Sequence, residues 1–142
     1  MATITTHYRG DMVFETIIGN HKLLIDVPKE MGGQDRGPQP PQLFIASIGS
    51  CVAALIAEYC ANHDSDASGM RVDVSFDKEG NPTRLTNIQV KVFMPDNGCV
   101  DKRREAALIR VAEQCPVHKT IETIQRIEFA IIHPEAAELS PG

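Results

Sequence analysis

Residues 42–62 read "QLFIASIGSCVAALIAEYCAN", and their reading decides the fold. The stretch lacks the period-two alternation of a strand and is apolar on nearly every side of a helical wheel, with Glu58 as its single charged residue. A helix apolar all round belongs in the centre of a protein. The remaining sequence must therefore supply the elements that cover it.

Ahead of the helix, "ATITTHYRGDMVFETIIGNHKLLIDVP" (2–28) holds β-branched and aromatic residues in short runs, broken at Arg9-Gly10-Asp11 and at Gly19-Asn20. Gly-Asn supplies the positive φ angle that a tight hairpin needs. Three short antiparallel strands are expected. "PKEMGGQDRGPQPP" (28–41) is too rich in proline and glycine for a helix or an inner strand, so it reads as a long irregular loop of the kind that often carries function. Beyond the helix, "MRVDVSFDK" (70–78) and "LTNIQVKVFM" (85–94) alternate with period two around the turn signal "EGNP" and predict a second hairpin. In "DKRREAALIRVAEQC" (101–115), Asp101 is a helix cap and Leu108, Val111, Ala112 and Cys115 form an apolar stripe. Pro116 disfavours helical geometry at Cys115 and ends that helix. "IQRIEFAIIH" (124–133) reads as a last strand, followed by a polar tail. The expected order is β-β-β-α-β-β-α-β, an α+β protein with one domain over residues 1–142.

Composition limits what such a domain does. A chain of 142 residues buries roughly 70% of its unfolded surface and folds without disulfides. Its net charge of −5 and lack of clustered Lys and Arg argue against nucleic-acid binding. The N-terminal stretch lacks the apolar core of a signal peptide, and no run of the roughly 20 apolar residues of a membrane span is expected. The expected location is the cytoplasm, where thiols stay reduced, so the four cysteines read as reactive, metal-bound or buried residues rather than a disulfide framework.

Cys51 and Cys60 lie nine residues apart on the central helix, about 180° around its axis. Cys51 shares a face with Ser47, Ala54, Leu55 and Glu58, while Cys115 ends the apolar stripe of the second helix. Packing of the two helices would bring Cys51 and Cys115 together; the alternative is that both are small core hydrophobes.

"GPQPPQLFIASIGSC" (37–51) before a helix, with "CPVH" (115–118) late in the chain, closely resembles the OsmC/Ohr family of peroxide-reducing proteins. The resemblance covers most of the chain. It implies an intertwined homodimer with two long central helices wrapped by antiparallel sheets and active sites at the subunit interface. It also implies thiol peroxidase chemistry on organic hydroperoxides, in which Cys51 attacks the peroxide and Cys115 resolves the sulfenic acid as a disulfide. A dithiol reductant of lipoyl or thioredoxin type would close the cycle, with no cofactor or metal.

The residue types suit that chemistry. A thiolate attacks the distal oxygen of ROOH, and a second thiol traps the sulfenic acid before irreversible oxidation. An ordinary cysteine, of pKa about 8.5, is only a few per cent thiolate at pH 7. Lowering that by two units takes about 2.7 kcal/mol of preferential stabilisation of the anion. Cys51 sits too far along its helix for that helix's own N-terminus to supply this. Arg9 is the candidate cation, at a place resembling the family's catalytic arginine, and Arg36 in the proline-rich loop is its competitor. The sequence departs from the hydroperoxide resistance proteins where a glutamate ten residues before the reactive cysteine holds the arginine. Here that position is Pro41, leaving Asp35, Glu30 or the partner subunit to substitute.

Three further readings attach to single residues. His118 is a candidate for proton transfer or for tuning Cys115, and equally a structural histidine. Glu58 is a candidate for bordering the site, or a surface carboxylate. Cys60 and Cys99 read as bystanders. Two Cys-x-x-His pairs, Cys60/His63 and Cys115/His118, offer an alternative zinc site of Cys2His2 type. A third function class is a non-catalytic dimer that binds a small apolar ligand.

Overall fold

The computed structural model describes residues 1–95 and 102–134. Asp101, Cys99 and the tail from residue 135 onward lie outside the described residues.

The N-terminal strands form as expected: β1 (Thr5–Tyr8), β2 (Phe14–Ile18) and β3 (His21–Ile25) make an antiparallel sheet in that order. Gly19 takes φ +58°, the left-handed geometry that a two-residue hairpin between β2 and β3 needs. The β1–β2 connection carries three consecutive positive φ angles at Gly10, Asp11 and Met12, and closes through Arg9 N–H to Val13 C=O at 2.9 Å.

The proline-rich loop is irregular apart from one short 3-10 turn, Lys29–Met31. Buried Asp26 fastens it. Its carboxylate accepts the backbone N–H groups of Val27 (2.7 Å), Gln34 (3.3 Å) and Arg36 (3.0 Å), together with Arg36 Nε at 2.6 Å. Gly33 is required there: a β-carbon would run into the Val27 carbonyl and the Asp26 carboxylate.

Helix α1 runs Pro40–Asn62, two residues earlier than expected, because Pro40 and Pro41 fall in its first turn, where a missing N–H costs nothing. Gln39 caps it in a reciprocal box with Gln42. The helix lies on the hairpin of β4 (Arg71–Glu79) and β5 (Arg84–Phe93). Gly49 permits the close approach, since even a β-carbon there would stand 3.1 Å from Val74 Cγ2. On its other side α1 packs against α2 (Lys102–Glu113) and α3 (Pro116–Thr123). Val52, Ile56 and Cys60 of α1 meet Leu108 and Cys115 in the main buried cluster.

The chain contributes one long helix, α1 of 23 residues, while α2 has 12. Two expectations are corrected. Pro116 follows the end of the second helix, but it also begins α3, which the sequence order omits. The last strand is absent from the single chain: residues 124–133 carry no regular structure, and Ile127, Phe129, Ile131 and Ile132 stand 65 to 91% exposed. A strand needs a hydrogen-bonding edge beside it, and the alternating pattern reports only the side chains' preference. Among the described residues the order is therefore β-β-β-α-β-β-α-α.

By length and composition α1 reaches the range of a membrane span, with a mean hydropathy of 1.9 over 18 residues, contrary to the sequence expectation. Within the chain it packs on β4, β5, α2 and α3, with 28% of that window buried.

Candidate active site at the junction of α1 and α3

Cys51 lies midway along α1, half-buried, beside the point where α2 gives way to α3. Cys115 is the N-cap residue of α3 and is completely buried. Cys51 packs against the buried cluster that contains Cys115, and both thiols are free rather than disulfide-linked. Val117, in the first turn of α3, packs against the same cluster. Helix packing thus joins two residues far apart in sequence.

The electrostatics of Cys51 pull in opposite directions. Burial pushes its pKa above the ordinary thiol value and the Cys115 side chain adds to the rise, while the Val117 N–H opposes it. Desolvation prevails, so the thiol form is favoured in the single chain. Among the described residues no guanidinium, ammonium or imidazolium acts on the sulfur.

Arg9 lies at the end of β1, where Nη2 pairs with Glu15 Oε1 at 2.9 Å. The pair holds the Glu15 carboxyl below the usual carboxylate range. The carboxylate beside Arg9 is thus Glu15 of β2, and not Asp35 or Glu30. Arg36 is engaged throughout: Nε donates to Asp26, Nη1 to Asp11 Oδ2 at 3.0 Å and Nη2 to the Asp11 carbonyl at 2.7 Å. It clamps the loop to the β1–β2 turn.

His118 Nε2 stands 2.9 Å from Glu122 Oε1 one turn along α3. Glu58 is exposed on α1. Cys60, about two and a half turns along α1 from Cys51, belongs to the same buried cluster as Cys115. The zinc alternative is not assembled. His63 stacks on Tyr59 with ring centroids 4.0 Å apart and its Nδ1 lies 2.7 Å from the Tyr59 carbonyl. Among the described residues no three His, Cys, Asp or Glu side chains converge as a metal site requires.

A cavity of about 650 Å³ opens on the neighbouring face of α1, between that helix, β5 and α2. Ile48, Val52, Leu108 and Ala112 line it, with His118 among the polar groups. Its size and lining suit a small, mainly apolar molecule.

Sequence reasoning missed the Val117 amide, Glu15 and Asp26. For the first a signal existed, because proline is favoured at the first position of a helix and Pro116 marks the start of α3 as well as the end of α2. For the carboxylates there was none, since their roles depend on which strands and loops meet.

The comparisons agree with this architecture. The sequence model of the OsmC-like protein family matches residues 32–130. A search of the curated proteins gives no match. Among solved structures, the chain is similar to a protein from Psychrobacter arcticus 273-4 described as an osmotic stress induced and detoxification response protein. The TM-score is 0.76 at 22% identity, over 95% of this chain and 90% of that one. It is also similar to the organic hydroperoxide resistance protein OsmC of Legionella pneumophila (TM-score 0.60, 23% identity, 85% and 88% covered). The organic hydroperoxide resistance protein OhrB of Bacillus subtilis gives a TM-score of 0.59 at 19% identity, with 87% and 91% covered. The match of both motif cysteines' surroundings to the family model, on a fold shared along most of the chain, leads to one statement: this protein belongs to the OsmC-like family.

Proposed function

We propose that the protein reduces organic hydroperoxides to alcohols with Cys51 as the attacking thiol and Cys115 as the resolving one. The observation that carries this reading is the packing of Cys51 against the buried cluster that holds Cys115, where each thiol acts on the other's ionisation. The Cys51 thiolate attacks the distal oxygen of ROOH, the O–O bond breaks, and the leaving alkoxide takes up a proton to give ROH. Cys51 is then a sulfenic acid. The Cys115 sulfur displaces its hydroxyl, which leaves as water with the Cys115 proton, and a disulfide remains. A dithiol of lipoyl or thioredoxin type reduces that disulfide, passing two electrons and two protons to the pair. The apolar cavity beside α1 favours alkyl over small polar peroxides. The names of the Legionella and Bacillus relatives support the substrate class.

The working unit is a cytoplasmic homodimer. Only 28% of the most apolar window of α1 is buried within one chain, and among the described residues the large apolar side chains of segment 124–133 are exposed, so a second copy is the natural cover for both.

The test is peptide mapping after fully reduced protein meets about one equivalent of an organic hydroperoxide. A Cys51–Cys115 disulfide is expected; Cys51→Ser abolishes turnover, and Cys115→Ser stops after one oxidation with Cys51 overoxidised. Full turnover by Cys51→Ser would overturn the assignment. A second reading, a non-catalytic dimer holding a small apolar ligand, draws on the raised Cys51 pKa and on the cavity. Stoichiometric ligand binding with both thiols left reduced would select it.

A further inference from the structure

The cavity between α1, β5 and α2 is a trough whose charge is all of one sign. Its floor is a single stripe of α1, Ile48, Val52 and Ile56, four residues apart and 1 to 5% exposed. Its two lips are apolar as well, with Val90 of β5 on one side and Ile109 of α2 on the other, both exposed. Among the described residues, α1 and β5 bring no charged group into the lining, α2 brings Glu105 and Glu113, and α3 brings His118. The two glutamates are eight residues apart, about 12 Å along the helix axis, with Ile109 midway between them. Both are exposed, and among the described residues neither makes a hydrogen bond or an ion pair. His118 does not offset them: its Nε2 stands 2.9 Å from Glu122 Oε1, so a positive charge on the ring is met by that carboxylate. The cations closest in sequence to the two lips, Lys91 and Arg110, lie outside the lining.

We propose that this cavity is a binding site for cationic amphiphiles, molecules with an alkyl body and a protonated amine at one end. The body covers the α1 stripe, and the amine meets Glu105 or Glu113. Burial of the body supplies the affinity, and the head group supplies the selection. A carboxylate-headed molecule of the same length would bring like charge to the α2 lip, and the site discriminates against it. The inference sharpens the ligand chemistry of the cavity and concerns binding alone, so it stands whether or not Cys51 reacts with peroxide.

The experiment uses the full chain, reduced, at pH 7 and low ionic strength, with no peroxide present. It is titrated by calorimetry with octylammonium and with nonanoate, which carry the same eight-carbon chain on opposite charges, and the methyl resonances of Val90 and Ile109 are followed by NMR. Octylammonium is expected to bind about tenfold more tightly than nonanoate, to shift those methyls, and to lose its advantage as salt is raised. Glu105→Gln combined with Glu113→Gln should bring the two affinities together. Glu30→Gln combined with Glu79→Gln, which changes the net charge equally outside the lining, should keep them apart. Ala112→Phe, which places a ring in the trough, should abolish binding of both. Equal affinities for the two ligands in the unaltered protein, no binding of either, or a preference that survives the lining pair of substitutions would overturn the inference. If a variant does not fold, the preference and the methyl shifts of the unaltered chain decide. Failure here leaves the Cys51–Cys115 mapping experiment untouched, because no step of it involves the head group.

Discussion

Asp26 shows how much one buried carboxylate controls. Its side chain is fully shielded from solvent, and the Arg36 guanidinium with three backbone N–H groups keeps its pKa far below the usual carboxylate range. A depressed pKa stabilises the fold at pH values above the unfolded carboxyl's, about 3.9, and that stabilisation is lost as pH falls toward the folded value. Urea unfolding at pH 7 and pH 3 should thus show a loss of stability on acidification that is much smaller in Asp26→Asn. Arg36→Ala leaves the carboxylate buried without its cation, and its midpoint of thermal unfolding should fall well below that of Arg9→Ala. Arg9 makes only an exposed ion pair with Glu15, and exposed pairs contribute little. Arg36→Lys should not restore the midpoint, because one ammonium cannot reach Asp26 and both Asp11 oxygens as the guanidinium fork does. Equal midpoints for the two alanine variants would show that the Asp26–Arg36 clamp does not hold the loop.

At the scale of elements, legibility followed the range of the physics. Helix α1 was readable because all-round apolarity is local information, and both hairpins were readable because alternation and turn residues are too. The missed helix α3 is short, and its start is shared with the end of α2, so Pro116 could be taken as a stop alone. Segment 124–133 carries strand-like side chains, but whether it forms a strand depends on pairing with an edge, and it pairs with none among the described residues. The site divides in the same way. Cys51 and Cys115 could be singled out from their motifs and helix faces, whereas the partner of Arg9 and the engagement of Arg36 follow from long-range packing. The energetic centre of these elements is Ile56, 1% exposed between α1 and α2 in the cluster with Leu108 and Cys115. Ile56→Ala should cost about 2–5 kcal/mol in chemical denaturation, the range for a truncated core aliphatic. It should also loosen the approach of α3 to α1, raising the reactivity of Cys115 toward a bulky maleimide. A cost below about 1 kcal/mol would mean that this core is not the one that positions the thiols.

The whole molecule has an apolar surplus. Phe129 is 91% exposed and Ile131 82%, in a segment without secondary structure, and the β1–β2–β3 sheet and the β4–β5 hairpin are two separate sheets, each with open edges. Water does not tolerate such a surface cheaply: burying each large side chain yields about 1.5–3 kcal/mol. A second copy that lends an edge to residues 124–133 would satisfy their backbone groups and cover their side chains together. Light scattering should therefore give twice the 15.6 kDa of one chain at micromolar concentration. The double variant Phe129→Asp, Ile131→Asp removes two such side chains and places charges in the proposed contact. Each 1.4 kcal/mol is a factor of ten in affinity, so the dimer should weaken by about a thousandfold or more and dissociate in the same measurement. Peroxide turnover, if it needs the assembled pair of subunits, should fall with it. A monomer in the unaltered protein would remove the proposed dimer, and a dimer unchanged by the double variant would place the contact on the open face of α1 instead of on this segment.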